Sequence, residues 1–80
     1  MAKLKTNIAQ LGSTRLLYSR IADSICEYIT ENKIAIGEKL PSERELALMW
    51  GVSRSSVREA IRELENQGLL SVEAGRGSFV

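Results

Sequence analysis

The chain has no histidine and very little cysteine, proline or aromatic side chain. Its 80 residues include one cysteine, one proline and 5% aromatics. Without an imidazole, Cys26 has no base beside it to make it a nucleophile. A lone cysteine forms no internal disulfide and supplies no metal-ligand spacing, so a reducing compartment fits and we expect neither a metal nor a cofactor.

The chain also lacks an excess of charge and a long apolar run. Its net charge is +1, whereas many nucleic-acid binders are strongly basic, so overall charge neither supports nor excludes such a partner. No apolar run approaches the roughly 20 residues of a membrane helix, and the start lacks the hydrophobic stretch of a signal peptide. By elimination, we expect a cytoplasmic protein without membrane contact.

Apolar residues predict a first helix from Thr14 to about Asn32. Four aliphatic side chains recur there at every fourth position. They are Leu17, Ile21, Ile25 and Ile29. Residues 1–13 show no such period, so we divide the chain into a flexible N-terminal arm (1–13) and one domain (14–80).

Two capped helices follow the single proline, Pro41. Ser42 and Glu45 form an S-x-x-E capping box, and Gly51 is suited to end that second helix. Ser53 can cap a third helix that runs to about Gln67. The second helix has apolar Leu46, Ala47, Met49 and Trp50, and the third a stripe of Val57, Ala60, Ile61 and Leu64.

The remaining chain predicts a β-hairpin. Residues 69–74 and 78–80 suit two strands, and Gly75, Arg76 and Gly77 suit the tight turn between them. A lone hairpin is unstable, so it must pack against the helices. Glu38 to Leu40 can add a short strand. The predicted class is therefore α+β, a winged helix-turn-helix with three helices and a small antiparallel β-wing.

The start of the third helix carries the candidate binding residues. Arg54 and Arg58 lie one turn apart, and an arginine fork can bind a phosphate or guanine O6 and N7. Ser53, Ser55 and Ser56 are short donors for phosphate oxygens beside a positive helix end. The alternative is a solvated face on which Arg58 and Arg62 pair with the acidic residues of their own helix. These are Glu59, Glu63 and Glu65.

Two further arginines are candidates. Arg44 lies at the start of the second helix, on the edge that a helix-turn-helix turns toward DNA, although it can instead pair with Glu45. Arg76 lies at the glycine-flanked wing tip, which suits contact along a DNA groove. No catalytic site is indicated, because residues 51–55 only approach a G-x-S-x-G elbow and lack its last glycine.

These motifs resemble a known family. The blocks LPSERELA, GVSRSSVREAIRELENQGLL and GRGSFV, within Leu17 to Val80, are similar to the winged helix-turn-helix domain of GntR-family bacterial transcription regulators. VREAIRELENQGLL most resembles the FadR-type subfamily. The branch fused to an aminotransferase-like domain usually has a tyrosine in its third helix. This chain has Arg58-Glu59-Ala60-Ile61 there, so it resembles that branch less.

The resemblance implies a dimeric regulator that binds a palindromic operator. It implies contacts from Arg44, Arg54 and Arg58, with bases of the major groove among their targets, hydroxyl contacts from the three serines, and a wing at the minor groove. Ala74 replaces a histidine that reads the minor groove in the best-known FadR-type member, so Arg76 would act on the backbone or on groove shape.

Relatives of this kind usually carry a C-terminal domain that binds a small-molecule effector and forms the dimer. We therefore expect these residues to be the N-terminal domain of a longer protein. Two alternatives stay open at this point. One is a winged helix that binds other proteins, and the other is a DNA-binding domain fused to an enzyme-like C-terminal domain.

Overall fold

Three helices and a two-stranded hairpin succeed one another along the chain. The computed structural model describes the backbone of residues 2–80 and the side chains of residues 16–80. The elements are α1 (Ala2–Glu31), α2 (Glu43–Trp50), α3 (Arg54–Asn66), β1 (Ser71–Glu73) and β2 (Gly77–Phe79). The two strands pair antiparallel, with Val72 opposite Ser78. This arrangement confirms the predicted α+β class and the winged helix-turn-helix.

The helix-turn-helix has the local boundaries that its sequence predicted. The Ser42 hydroxyl accepts the Glu45 amide at 3.1 Å, and the Glu45 carboxylate accepts the Ser42 amide at 2.8 Å. Gly51 ends α2 in the left-handed conformation, with φ at 65°, and its amide donates to the Ala47 carbonyl. A left-handed residue turns the chain sharply at little cost when it is glycine, so α3 begins three residues later.

The core forms where α3 packs between α1 and α2. All four predicted α3 residues are at most 3% exposed, and they contact buried residues of both other helices. From α1 these are Ile21, Ala22 and Ile25, and from α2 they are Leu46 and Ala47. Met49, another apolar residue of α2, is 51% exposed, because the short α2 turns only one narrow face to the core. Trp50 is half-buried against the core's edge.

The hairpin is fixed to the helices by a third stretch of chain. Leu40 donates its amide to the Ser78 carbonyl, and Val80 donates to Glu38, both at 2.9 Å. The short strand expected at Glu38 to Leu40 is reduced to one bridge, between Lys39 and Phe79. The first wing strand is shorter than the predicted 69–74, because the turn occupies residues 74–76. The second keeps its predicted length of three residues but begins one residue earlier, at Gly77.

The first helix begins earlier than Thr14. It extends from Ala2, and no proline precedes Pro41 that would stop a helix in this part of the sequence. The expected arm at residues 1–13 lies outside the residues whose side chains are described. The division into an arm and a domain that begins at residue 14 therefore stays a prediction.

Candidate nucleic-acid interface

The first turn of α3 is a cluster of hydroxyls around a serine cap. Ser53 is extended, with φ at −76° and ψ at 153°, and its Oγ accepts the Ser56 amide at 3.1 Å. The same hydroxyl donates to Ser56 Oγ at 2.8 Å and lies 3.3 Å from Ser55 Oγ. No acidic residue lies in this turn, so the partial positive charge of the helix end is not offset there.

Arg54 is the first residue of α3 and is exposed. Among residues 16–80, no hydrogen bond or ion pair engages its side chain. A cation at the positive end of a helix is unfavourable on its own, since the helix dipole has the same sign. This arrangement is suited to an external anion, which would interact favourably with both the guanidinium and the helix end.

Arg58 lies one turn further along α3 and is held by Glu43 of α2. Its Nε donates to both carboxylate oxygens, at 3.3 Å and 3.1 Å, and its Nη2 donates to Oε1 at 3.0 Å. These bonds with Glu43 raise the pKa of Arg58. The guanidinium is therefore fixed in place, although 47% of the Arg58 side chain stays exposed.

The expected alternative for Arg58 was an ion pair within its own helix. The partner is instead on α2, fifteen residues earlier in the chain. Sequence reasoning missed Glu43 because no local spacing links the two positions. Only the crossing of α2 and α3 brings them together.

Arg62 lies on a solvated face of α3 and pairs within its own helix, which is the alternative that the sequence left open. It pairs with Glu59 at 3.0 Å across one turn of the helix, and both side chains are well exposed. Exposed pairs of this kind contribute little to stability, about 0.3–0.5 kcal/mol within a helix. Arg62 is therefore a useful reference for the arginines nearer the N-terminus.

Arg44 is exposed at the start of α2. The pairing with Glu45 that the sequence left open is not formed, because Glu45 accepts the Ser42 amide. That backbone hydrogen bond, followed by the one from the Ser42 side chain, lowers the pKa of Glu45. Within residues 16–80, no ion pair involves Arg44, so its guanidinium is available to a ligand.

The wing holds Arg76 along its own surface. Arg76 Nη1 donates to Glu73 Oε1 at 2.8 Å, and its guanidinium lies 5.5 Å from the centre of the Phe79 ring. Gly77, the first residue after the turn, has φ at 110°, a conformation that residues with a side chain rarely adopt. The backbone there therefore favours glycine, while the Arg76 side chain stays 70% exposed.

The predicted site residues are brought together only in part. Direct contacts join the three serines to one another and Arg58 to Glu43. In the portion of the chain with described side chains, Arg44 and Arg54 form no side-chain hydrogen bond, and Arg76 donates to Glu73 of the wing. Their common feature is exposure, with two of them in the first turns of α2 and α3. None of the helices in the described residues is long and apolar enough to cross a membrane.

Comparisons with known proteins agree with this geometry. The family model described as "Bacterial regulatory proteins, gntR family" matches residues 17–80. The putative L-lactate dehydrogenase operon regulatory protein of Escherichia coli (strain K12) is 42% identical over 66 residues, which are 82% of this chain and 26% of that protein. NagR, a transcriptional repressor of Bacillus subtilis (strain 168), is 41% identical over 64 residues, 80% of this chain and 26% of its own length.

The chain thus spans about a quarter of the length of these curated relatives. One is named as an operon regulatory protein and the other as a transcriptional repressor, which agrees with the predicted class of protein.

Solved structures extend the agreement to the fold. The structure described as "Crystal Structure of AraR(DBD) in complex with operator ORR3" has a TM-score of 0.74 and 41% identity, covering 80% of this chain and 77% of that one. The possible transcriptional regulator YydK from Bacillus subtilis has a TM-score of 0.76 and 34% identity, covering 80% and 28%. The chain therefore belongs to the GntR family of bacterial regulatory proteins and folds as that family's winged-helix DNA-binding domain.

Proposed function

We propose that this domain binds a palindromic operator in double-stranded DNA, with the start of α3 in the major groove. The observation that carries the proposal is the first turn of α3. It combines an exposed Arg54, a cluster of hydroxyls and an unopposed positive helix end. Phosphates and base edges are the partners that such a surface favours. The AraR domain in complex with its operator supports the same choice of ligand.

The proposed roles depend on which donors of each side chain are free. Arg54 and Arg58 read bases, since both lie in the first two turns of α3. Arg44, Ser55 and Ser56 fix the register on phosphates. The Ser53 hydroxyl already donates its hydrogen bond to Ser56 Oγ. Ser53 therefore acts mainly by stabilising the helix end that faces the phosphate.

The wing takes a supporting role at the minor groove. Gly75 and Gly77 allow the tight turn, and Arg76 is restrained by Glu73 and Phe79. Ala74 offers no hydrogen-bonding side chain for a base edge, so the wing contributes through the backbone and the Arg76 charge. This contact steadies the complex without adding a base preference.

The longer protein is proposed to be a FadR-type homodimer in the cytoplasm. The VREAIRELENQGLL segment, which runs from α3 into the residues that follow it, supports the subfamily. The curated relatives are about four times as long as the matched region, which leaves room for a C-terminal domain that dimerises and binds a small-molecule effector. Two tethered domains would bind a palindrome far more tightly than one.

Fluorescence anisotropy tests the proposed function directly. A labelled duplex with a TGGT…ACCA palindrome, the type that FadR-type relatives prefer, is titrated with the domain beside a scrambled duplex across a salt series. We expect tighter binding to the palindrome and a steep salt dependence. Equal, salt-sensitive binding to both would contradict this operator sequence. No binding to either duplex at low salt would contradict DNA binding by the domain and favour a protein partner.

A further inference from the structure

The ion pair between Glu43 and Arg58 differs from the other ion pairs among the described side chains. The Arg62 and Arg76 pairs each join residues three apart and use one nitrogen, whereas Arg58 uses two nitrogens on a carboxylate of another helix. Glu43 is also less exposed, at 28%, than Glu59 or Glu73. This pair is therefore the most restrained of the three.

The geometry also determines which donors of Arg58 remain. A guanidinium has five N–H groups in a planar fork. Glu43 occupies the edge formed by Nε and Nη2 and accepts one hydrogen from each. One N–H of Nη2 and both of Nη1 are left, and the outer pair points away from the side chain. Those two parallel donors match guanine O6 and N7, the commonest base-specific contact of arginine.

The carboxylate acts differently on the other possible ligand of Arg58. A phosphate that approached the guanidinium would also meet the negative charge of Glu43, which makes the contact less favourable. A guanine edge carries no net charge and suffers much less from this repulsion. Holding Arg58 against Glu43 therefore favours a base over the DNA backbone as its partner.

We propose that Glu43 is a positioning and specificity-determining residue for DNA recognition. It holds the Arg58 guanidinium so that its outer edge faces a guanine, and it disfavours contact between Arg58 and phosphate. This inference rests on the proposed DNA-binding function. Its distinctive consequence is that removing the Glu43 charge weakens discrimination between sequences while it strengthens binding to arbitrary DNA.

The test compares Glu43→Gln with the parent on two duplexes. The first is the best sequence that the parent selects from a duplex library with a randomised core, and the second is its scrambled counterpart. We expect the affinity ratio between the two to fall about tenfold in Glu43→Gln, the effect of disturbing a bidentate base contact. Binding to the scrambled duplex should become tighter, and its salt slope steeper by about one.

Glu59→Gln is the matched control. It removes one negative charge from a residue beside Arg58 and breaks another arginine pair of the same 3.0 Å length. It should strengthen binding to both duplexes alike and leave their affinity ratio within about twofold of the parent. Thermal melts by circular dichroism confirm that both variants are folded at the assay temperature.

A double-mutant cycle separates positioning from a general effect on the fold. In an Arg58→Ala background, Glu43→Gln should leave the affinity ratio unchanged, since no guanidinium remains to be oriented. An unchanged ratio in Glu43→Gln alone would overturn the proposal, as would an equal fall in Glu59→Gln or in the Arg58→Ala background. If the library yields no preferred sequence for the parent, the proposed function itself fails, and this role fails with it.

Discussion

The two helices of the helix-turn-helix begin with the same kind of cap and differ in the charge of their first turns. Each has an extended serine cap whose oxygen accepts the amide three residues later, at 3.1 Å in both cases. In α2 the first turn contains Glu43 and Glu45, whereas in α3 it contains no acid and begins with Arg54. The cap is thus shared, and the charge beside it is reversed.

This difference shows how one local device serves stability in one helix and binding in the next. At α2 the capping box is complete and two carboxylates complement the helix dipole on either side of Arg44, so this helix end is already stabilised within the domain. At α3 the helix end keeps its positive character, and an arginine adds to it. A domain of nearly zero net charge can therefore present a strongly cationic feature at one helix end.

Among the substitutions that test this difference between the two helices, removing Arg54 should have the largest effect on operator binding. Arg54→Ala is expected to cost roughly 1–3 kcal/mol of operator binding, because α3 loses the cation that its own dipole disfavours and DNA stabilises. Arg62→Ala is the control, since that arginine pairs with Glu59 toward the other end of α3. Anisotropy titrations measure both. Operator binding by Arg54→Ala as tight as that of the parent would show that this residue has no part in recognition.

Adding an acid to the first turn of α3 should separate stability from binding. Ser55→Glu places an acid in the first turn, and we expect it to stabilise the fold by about 0.3–1 kcal/mol. DNA affinity should fall about tenfold, since a carboxylate then faces the phosphates. Urea unfolding and anisotropy report the two effects. A variant that gained stability without losing affinity would show that this turn does not approach DNA.

Removing the serine cap of each helix in turn should show whether the two caps differ in their effect on DNA binding. Ser42→Ala and Ser53→Ala are each expected to lower the free energy of unfolding by about 1 kcal/mol, the usual contribution of a serine cap. Only Ser53→Ala should also weaken DNA binding under conditions where both variants are folded. Equal binding losses in the two variants would mean that the caps act on DNA affinity only through overall stability.

The smallest expected effect is the response of α2 to acid. The pKa of Glu45 is lowered because its carboxylate accepts the Ser42 amide, so this contribution is present above the unfolded pKa and disappears as the pH falls through the folded one. We expect the free energy of unfolding to decline as the pH drops below about 4. The decline should be shallower in Glu45→Gln, and denaturant melts at several pH values measure it. An equal slope in both proteins would contradict this assignment.

The features that could be predicted from the sequence are those that depend on neighbouring residues. Caps at Ser42 and Ser53, the left-handed Gly51 and the buried stripe of α3 each depend on spacings of three or four positions, and the structure confirms them. The family resemblance was also confirmed, because its motifs succeed one another along the same segment.

The features that escaped prediction depend on how elements cross. Glu43 and Arg58 meet only after α2 packs on α3, and no periodicity encodes that contact. Met49 lies on an apolar stretch of α2 but outside its narrow contact face. The first wing strand is shorter than its β-forming residues suggested and the second begins one residue early, because the pairing of Val72 with Ser78 places the turn at residues 74–76. The DNA contacts of the individual arginines stay predictions.

The bridge between Lys39 and Phe79 also has a consequence for the order of folding. The bridge closes a loop that contains all of α2 and α3. Its hydrogen bonds therefore cannot offset the entropy of closing that loop until both helices have packed onto α1. Contacts this distant in sequence are expected to form after the folding barrier, with low φ-values for substitutions at Phe79. The helix-turn-helix would then assemble first, and the wing would be the last part to dock and the first to open.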